Sequence, residues 1–341
     1  MRTVLVLCLC CLVSCSKQKS YKFQRSILDF VFSVTIIEDE KVQPKKIEDV
    51  VDKAYSEVAR IYSVFSSNII DSELSKISNE LAKGRKGEKT DLKVSNEFYD
   101  LISFALSVSE RTNWSFDLCF KVVSELWDKS LRASNPHIPS QAEINEAMLY
   151  SGKNSFELKG NNVIRFKRGI KFGFGGIIRG YALEKMTTIF KENGIVNYIV
   201  EAGGDISISG TKSGKPWNAA LINPSDEKKN FGYCLVENEN VSMFTSGSFY
   251  GFFEINGKKY SHTMDMRTGK PAESDLLNIT FISKDPKIGD SFATSYFVYG
   301  FKRVEQQFEI FDKDGIGVII VDSKGIRKMN ATAMKYCYLT E

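Results

Sequence analysis

The chain has few of the residue patterns that announce a metal framework, a membrane span or a nucleic-acid surface. Only 7 of its 341 residues are cysteine, and beyond Cys15 no two form a Cys-x-x-Cys pair. Cys8, Cys10 and Cys11 fall in an apolar leader, and beyond Cys15 only Cys119, Cys234 and Cys337 remain. An odd, widely spaced set supports neither a zinc site nor a disulfide framework, so buried thiols are the expected state of all three. The leader's apolar run, Val4 to Val13, is too short to span a bilayer as a stable anchor. An excess of one charge is also missing. The 46 Lys and Arg are scattered among 42 Asp and Glu, a net +4 without a basic stripe, which argues against a nucleic-acid partner. No internal repeat, low-complexity segment or long linker follows residue 25.

What remains is an ordinary globular composition, 43% hydrophobic and 26% charged, in a chain long enough for one large domain or two fused ones. Arg2 precedes the apolar run, and Leu12-Val13-Ser14-Cys15 is followed by the polar Ser16-Lys17-Gln18-Lys19-Ser20. This resembles a bacterial lipobox, which implies cleavage before Cys15 and a lipid on its thiol; a plain signal peptide is the alternative. The expected organisation is a lipoprotein signal peptide over 1–14, a tether over 15–26 and the folded domain over 27–341. The domain would then hang from a membrane of the bacterial cell envelope, facing the periplasm.

Strand and helix periods divide the rest. Phe30 to Ile37 is rich in β-branched and aromatic residues and reads as a first strand. Ile47, Val50, Ala54, Val58, Ile61 and Phe65 recur at helical spacing, as do Phe98, Leu101, Ala105 and Val108 between Glu97 and Glu110. Phe156 to Leu158 and Val163 to Phe166 flank Lys159-Gly160-Asn161-Asn162 and read as a hairpin. Tyr198 to Ala202 turns at Gly203-Gly204-Asp205, and short strands follow over 206–208, 217–222, 232–236 and 241–244. Helices are expected after Thr294 and from Val304 to Phe311, with a closing strand over Gly317 to Val321. The fold class is α+β, with mixed strands, flanking helices and a smaller lobe formed by the helices between 45 and 150.

The densest chemistry lies between Ser261 and Thr294. The alternating Phe252 to Ile255 and Lys258 to Tyr260 flank Asn256-Gly257, the strongest short hairpin signal, and this hairpin delivers His262 and Asp265 to a strand end. Arg267-Thr268-Gly269-Lys270-Pro271 reads as a loop. Asp290 and Thr294 are four residues apart at an apparent helix start, where both oxygens share one face and could hold a hard cation. The alternative is that Asp290 serves only as an N-cap.

Upstream, Gly173-Phe174-Gly175-Gly176-Ile177-Ile178-Arg179-Gly180-Tyr181-Ala182 opens a helix running to Gly194. Such a turn lets backbone approach a phosphate. A dinucleotide-binding reading fails, because no acidic residue in the right strand context and no second parallel unit follow. Asp117 enters an apolar run from Leu118 to Trp127 and needs a partner, with capping of the next helix as the simple role.

Taken in order, these motifs resemble the ApbE family, the FAD:protein FMN transferases. His-x-x-Asp-x-Arg-Thr-Gly-x-Pro from His262, then Asp-x-x-Ala-Thr ending at Thr294, carry the resemblance. So do Asp71-Ser72-Glu73-Leu74-Ser75, Trp114-Ser115-Phe116-Asp117 and the glycine-rich turn. Gly173 and Arg179 stand where the family usually has Asp and Lys. The resemblance implies a T-fold-related flavin transferase architecture. It also implies Mg²⁺-dependent cleavage of FAD, with FMN passing to a threonine hydroxyl of an acceptor flavoprotein of the redox-pump or electron-transfer type and AMP released. Water as nucleophile, giving free FMN, and flavin binding without turnover are the alternatives. The implied Mg²⁺ ligands are Asp290, Thr294 and the Gly176 carbonyl. Implied cofactor contacts are Phe65, Ser115, Phe116, Asp117, Gly173, Arg179 and Met264, with His262 as proton acceptor and Asp265 as its orienting partner. The usual acceptor pattern is Asp-Gly, then small residues, then Thr.

Overall fold

The computed structural model describes residues 19–28, 30–38, 44–67, 69–247, 252–255 and 257–340. The leader, Cys15, Asp29, Ser248 and the turn residue Asn256 lie outside the described residues.

Its centre is an eight-stranded sheet in which every pairing is antiparallel, so the failed dinucleotide-binding reading is consistent with the topology. The strands lie in the order Ser20–Ile27, Phe30–Ile37, Tyr198–Ala202, Asp205–Ser209, Asn240–Gly247, Leu276–Ser283, Gly317–Asp322, Arg327–Met329. Residues expected to be tether are therefore partly structural: Ser20 to Ile27 pair along the whole of Phe30–Ile37. Alternation along the inner strands sends side chains to two different cores. In Gly317–Asp322, Val318 and Ile320 join the larger core while Ile319 and Val321 join the second.

The larger core fills the face covered by helices. Pro44–Phe65 packs on Ile178–Glu192, which packs on Pro286–Phe297, and the last of these lies on the central strands. Phe98, Leu101, Ile102 and Ala105 of the helix Asn96–Arg111 belong to this same core, whereas Lys121–Leu131 and Gln141–Met148 pack in a smaller one with Met264 and Met266, so the helices between 45 and 150 divide between two cores. The helix Ile178–Glu192 approaches Pro286–Phe297 so closely that a Cβ on Gly180 would sit 2.9 Å from Asp290 Cβ. The glycine is what allows the two helices to touch at the site described below.

The opposite face is covered by a three-stranded sheet of Cys337–Leu339, Asp226–Val236 and Trp217–Asn223. Its register places Cys337 opposite Cys234, and the two form a disulfide. This corrects the expectation of three buried thiols beyond Cys15: among the described residues only Cys119 is free, buried in the larger core. The pairing joins residues 103 positions apart. A third small sheet, Lys89–Lys93 with the predicted hairpin Phe156–Gly160 and Val163–Lys167, lies beside the helices. The stretch expected as one helix from Val304 to Phe311 is two short ones, Phe301–Glu305 and Phe308–Lys313.

Candidate active site

A cavity of about 770 Å³ opens between the central sheet, the three-stranded sheet and the glycine-rich turn. Its walls bring together segments far apart in sequence: Ser115 to Asp117 with Phe120, Gly173 to Gly176, Gly203 to Asp205, Thr245 to Gly247 and His262 to Met264. Leu221, Ile222 and Phe231 add an apolar wall from the three-stranded sheet. The cavity thus draws on strands (Asp205, Thr245 to Gly247), helices (Arg179, Thr294) and the glycine-rich turn alike.

One guanidinium faces two carboxylates: Arg179 and Asp205 line the cavity, whereas Asp290 is buried behind them and does not. Arg179 Nε lies 2.8 Å from Asp205 Oδ2, and its Nη2 lies 4.0 Å from Asp290 Oδ1. Asp205 Oδ1 accepts from the Thr245 N–H at 2.9 Å, and Asp290 Oδ2 accepts from the Gly180 N–H at 2.9 Å. Burial pushes the Asp205 carboxyl up to about 7 and that of Asp290 up to about 6, while Arg179 pulls both down. Burial alone would lower the Arg179 pKa, but Asp205 and Asp290 hold it above its ordinary value. The short Arg179–Asp205 contact and the raised Asp205 carboxyl point in opposite directions. Burial prevails, because Arg179 Nε and Asp205 Oδ2 are close without the alignment of a hydrogen bond. Two buried carboxylates against one cation leave a negative charge in want of a partner.

The oxygen set suits a hard cation. Asp290 is buried in the middle of the helix Pro286–Phe297, with Thr294 one turn further on. The Thr294 hydroxyl is 3.1 Å from where a Cβ on Gly176 would stand, so the glycine-rich turn presses on that side chain. Carboxylate, hydroxyl and nearby backbone carbonyl are the ligand types of Mg²⁺. Among the described residues no cluster of three or more His, Cys, Asp or Glu forms a metal site, so any cation here would depend on hydroxyl and carbonyl oxygens. Asp290 is not the N-cap: Asp285 fills that role, accepting from the Lys287 N–H at 2.9 Å, with Pro286 at the first helical position.

The other expected site residues divide. Ser115, Phe116, Asp117, Gly173, Gly176, Arg179, His262, Met264 and Thr294 line the cavity. Asp117 is buried with both oxygens engaged, one accepting from the Cys119 N–H at 2.8 Å and the other from the Gly152 N–H at 2.6 Å. Burial nevertheless keeps its pKa raised. Phe65 is not in the wall: its ring stacks 5.5 Å from that of Phe98 and 4.9 Å from Phe174, inside the larger core. Asp265 is not in the wall either, and its carboxylate forks onto Arg267 at 2.7 and 2.8 Å. Asp205 and Phe120 are cavity residues that the sequence reading left unassigned.

The sequence model of the ApbE family matches residues 28–320. The chain belongs to that family. Among curated relatives, the FAD:protein FMN transferase of Salmonella typhimurium is 26% identical over 237 residues, covering 68% of this chain and 67% of the relative. The protein of the same name from Vibrio cholerae is 25% identical over 260 residues, covering 76% and 75%. The crystal structure of an ApbE protein from Thermotoga maritima superposes with a TM-score of 0.78 at 27% identity, over 93% of this chain and 99% of that one. The flavin transferase ApbE from Vibrio cholerae shares the fold at a TM-score of 0.77 and 20% identity, over 94% and 100% of the chains. An ApbE architecture explains why the motifs on six separate segments converge on one cavity.

Proposed function

We propose that this ApbE-family enzyme transfers FMN from FAD to a threonine hydroxyl of an acceptor protein and releases AMP. The observation that carries the reading is that His262, Arg179 and Asp205 line one cavity of about 770 Å³, with Asp290 buried behind Arg179. Phosphoryl-type transfer needs positioning and charge neutralisation more than covalent help, and this arrangement offers both. Relatives in the family carry the name FAD:protein FMN transferase.

Asp290, Thr294 and the Gly176 carbonyl would hold Mg²⁺. When bound there, the cation would neutralise phosphate charge on the pyrophosphate and on departing AMP. Arg179 adds a fixed positive charge from the chain itself, and its forked head suits a phosphate better than a single ammonium would. His262 takes the proton from the acceptor hydroxyl as that oxygen bonds to the FMN phosphorus and the bond from phosphorus to the AMP oxygen breaks. Ser115, Phe116 and Met264 shape the cavity around the flavin. Asp265, clasped by Arg267, acts by holding the turn that follows His262.

A lipid on Cys15 and a periplasmic site in the cell envelope complete the proposal. The Cys234–Cys337 disulfide supports it, since such bonds persist in oxidising compartments. The test is incubation of the chain from Ser16 onward with FAD and Mg²⁺, with and without a peptide of the Asp-Gly, small, Thr pattern. AMP release with a peptide gain of one FMN mass supports transfer. AMP with free FMN and unmodified peptide would make the enzyme a pyrophosphatase, and bound FAD without AMP would make it a flavin-binding protein.

A further inference from the structure

A second, smaller cavity of about 270 Å³ shares a wall with the first. His262, Phe120 and Met264 line both. Its remaining surface comes from the helix Lys121–Leu131 (Ser124, Glu125, Trp127, Asp128 and Leu131) and from Ser261 and Pro271. Beneath it lies a small core of its own, with Val123, Trp127, Leu131, Ile144, Met264 and Met266. Trp127 is pinned there by donating its indole N–H to the Gly269 carbonyl at 2.8 Å, which ties the floor to the turn after His262.

The chemistry of this groove narrows its occupant. Its two carboxylates are already paired, Glu125 with Lys171 and Asp128 with Arg132, so no uncompensated charge awaits an ionic ligand. Its hydroxyls, Ser124 and Ser261, are neutral, and its floor is apolar. It has about a third of the room of the main cavity, suited to a few small side chains rather than a second nucleotide.

Resting on the transfer reading, we infer that this groove receives the acceptor protein. The occupant is an acceptor segment that places its small, uncharged residues in the groove, so that its hydroxyl reaches His262 from the side opposite the flavin. Two substrates that react at one phosphorus must meet at a shared wall, and His262 stands in the one wall these cavities have in common.

The test compares the unmodified enzyme with Ser124→Trp, which fills the groove, Asp128→Trp at its half-exposed mouth, and Ser107→Trp on a remote exposed surface. Each is assayed with FAD, Mg²⁺ and the Asp-Gly, small, Thr peptide. Both groove variants should raise the peptide KM by about tenfold or more while the FAD Kd, read by flavin fluorescence, stays within about twofold. Ser107→Trp should change neither. Should Ser124→Trp lose FAD binding, and with it its fold, Asp128→Trp carries the result. A peptide KM unchanged in the folded groove variants overturns the groove while leaving transfer intact. No peptide modification by the unmodified enzyme overturns both.

Discussion

The Phe120 ring occupies the space above Gly173: its Cζ lies 2.6 Å from where a Cβ on Gly173 would stand, and Lys121 Cγ lies 3.0 Å from the same point. The glycine and the aromatic therefore form a matched pair in the cavity wall. An aspartate, the residue that the family resemblance leads one to expect at 173, could not enter without displacing that ring.

Introducing that aspartate should be destabilising, and removing the ring should relieve it. Gly173→Asp is expected to cost about 1–3 kcal/mol, as overpacking does, and adding Phe120→Ala should recover part of the loss. Urea denaturation of the two single variants and the double variant measures the coupling. Strictly additive effects would remove the pairing.

Replacing Asp290 by Asn keeps an oxygen to accept from the Gly180 N–H but removes the charge. Asp290→Asn should therefore stay folded and bind FAD while losing Mg²⁺-dependent AMP release by about 100-fold or more. Undiminished release would take Asp290 out of the cation site.

His262→Ala should act on the rate. A positioned base contributes about 10²- to 10⁴-fold, so kcat should fall by that order while the FAD Kd moves little. Steady-state kinetics beside a binding titration separates the two, and a pure Kd defect would make His262 a cofactor contact.

The buried carboxylates make stability depend on pH in a defined direction. Asp205 titrates near 7 in the fold against an ordinary 3.8, so the folded chain keeps a proton that the unfolded chain has released. This stabilisation is complete below the ordinary value and is lost as pH rises through about 7. In Mg²⁺-free buffer the Tm should fall between about pH 5 and pH 8, and Asp205→Asn, which titrates nowhere, should flatten that fall. An equally steep profile in Asp205→Asn would assign the slope to other groups.

Much of this site was readable along the chain, because local signals carried it. The Asn-Gly hairpin before His262, the glycine-rich turn before Ile178 and the apolar spacing of Pro44–Phe65 all appear where the sequence puts them. Asp290 was misplaced by four residues although Asp285-Pro286 is itself a capping signal, a cap followed by proline at the first helical position. The losses elsewhere were long-range. Arg179 and Asp205 meet only after a helix and a hairpin have packed. Cys234 and Cys337 are brought together by strand register that no spacing reveals. Phe65 stands at helical spacing either way, and packing alone decides that it faces Phe98 rather than the cavity.

The strand Cys337–Leu339 completes the sheet that supplies Leu221, Ile222 and Phe231 to the cavity, and Thr340 donates its N–H to the Phe231 carbonyl at 2.9 Å. The wall against which a flavin would rest is thus buttressed from behind by a strand that never touches the cavity. The disulfide fastens that buttress across 103 positions, so a reductant acting outside the cavity would loosen the cavity itself.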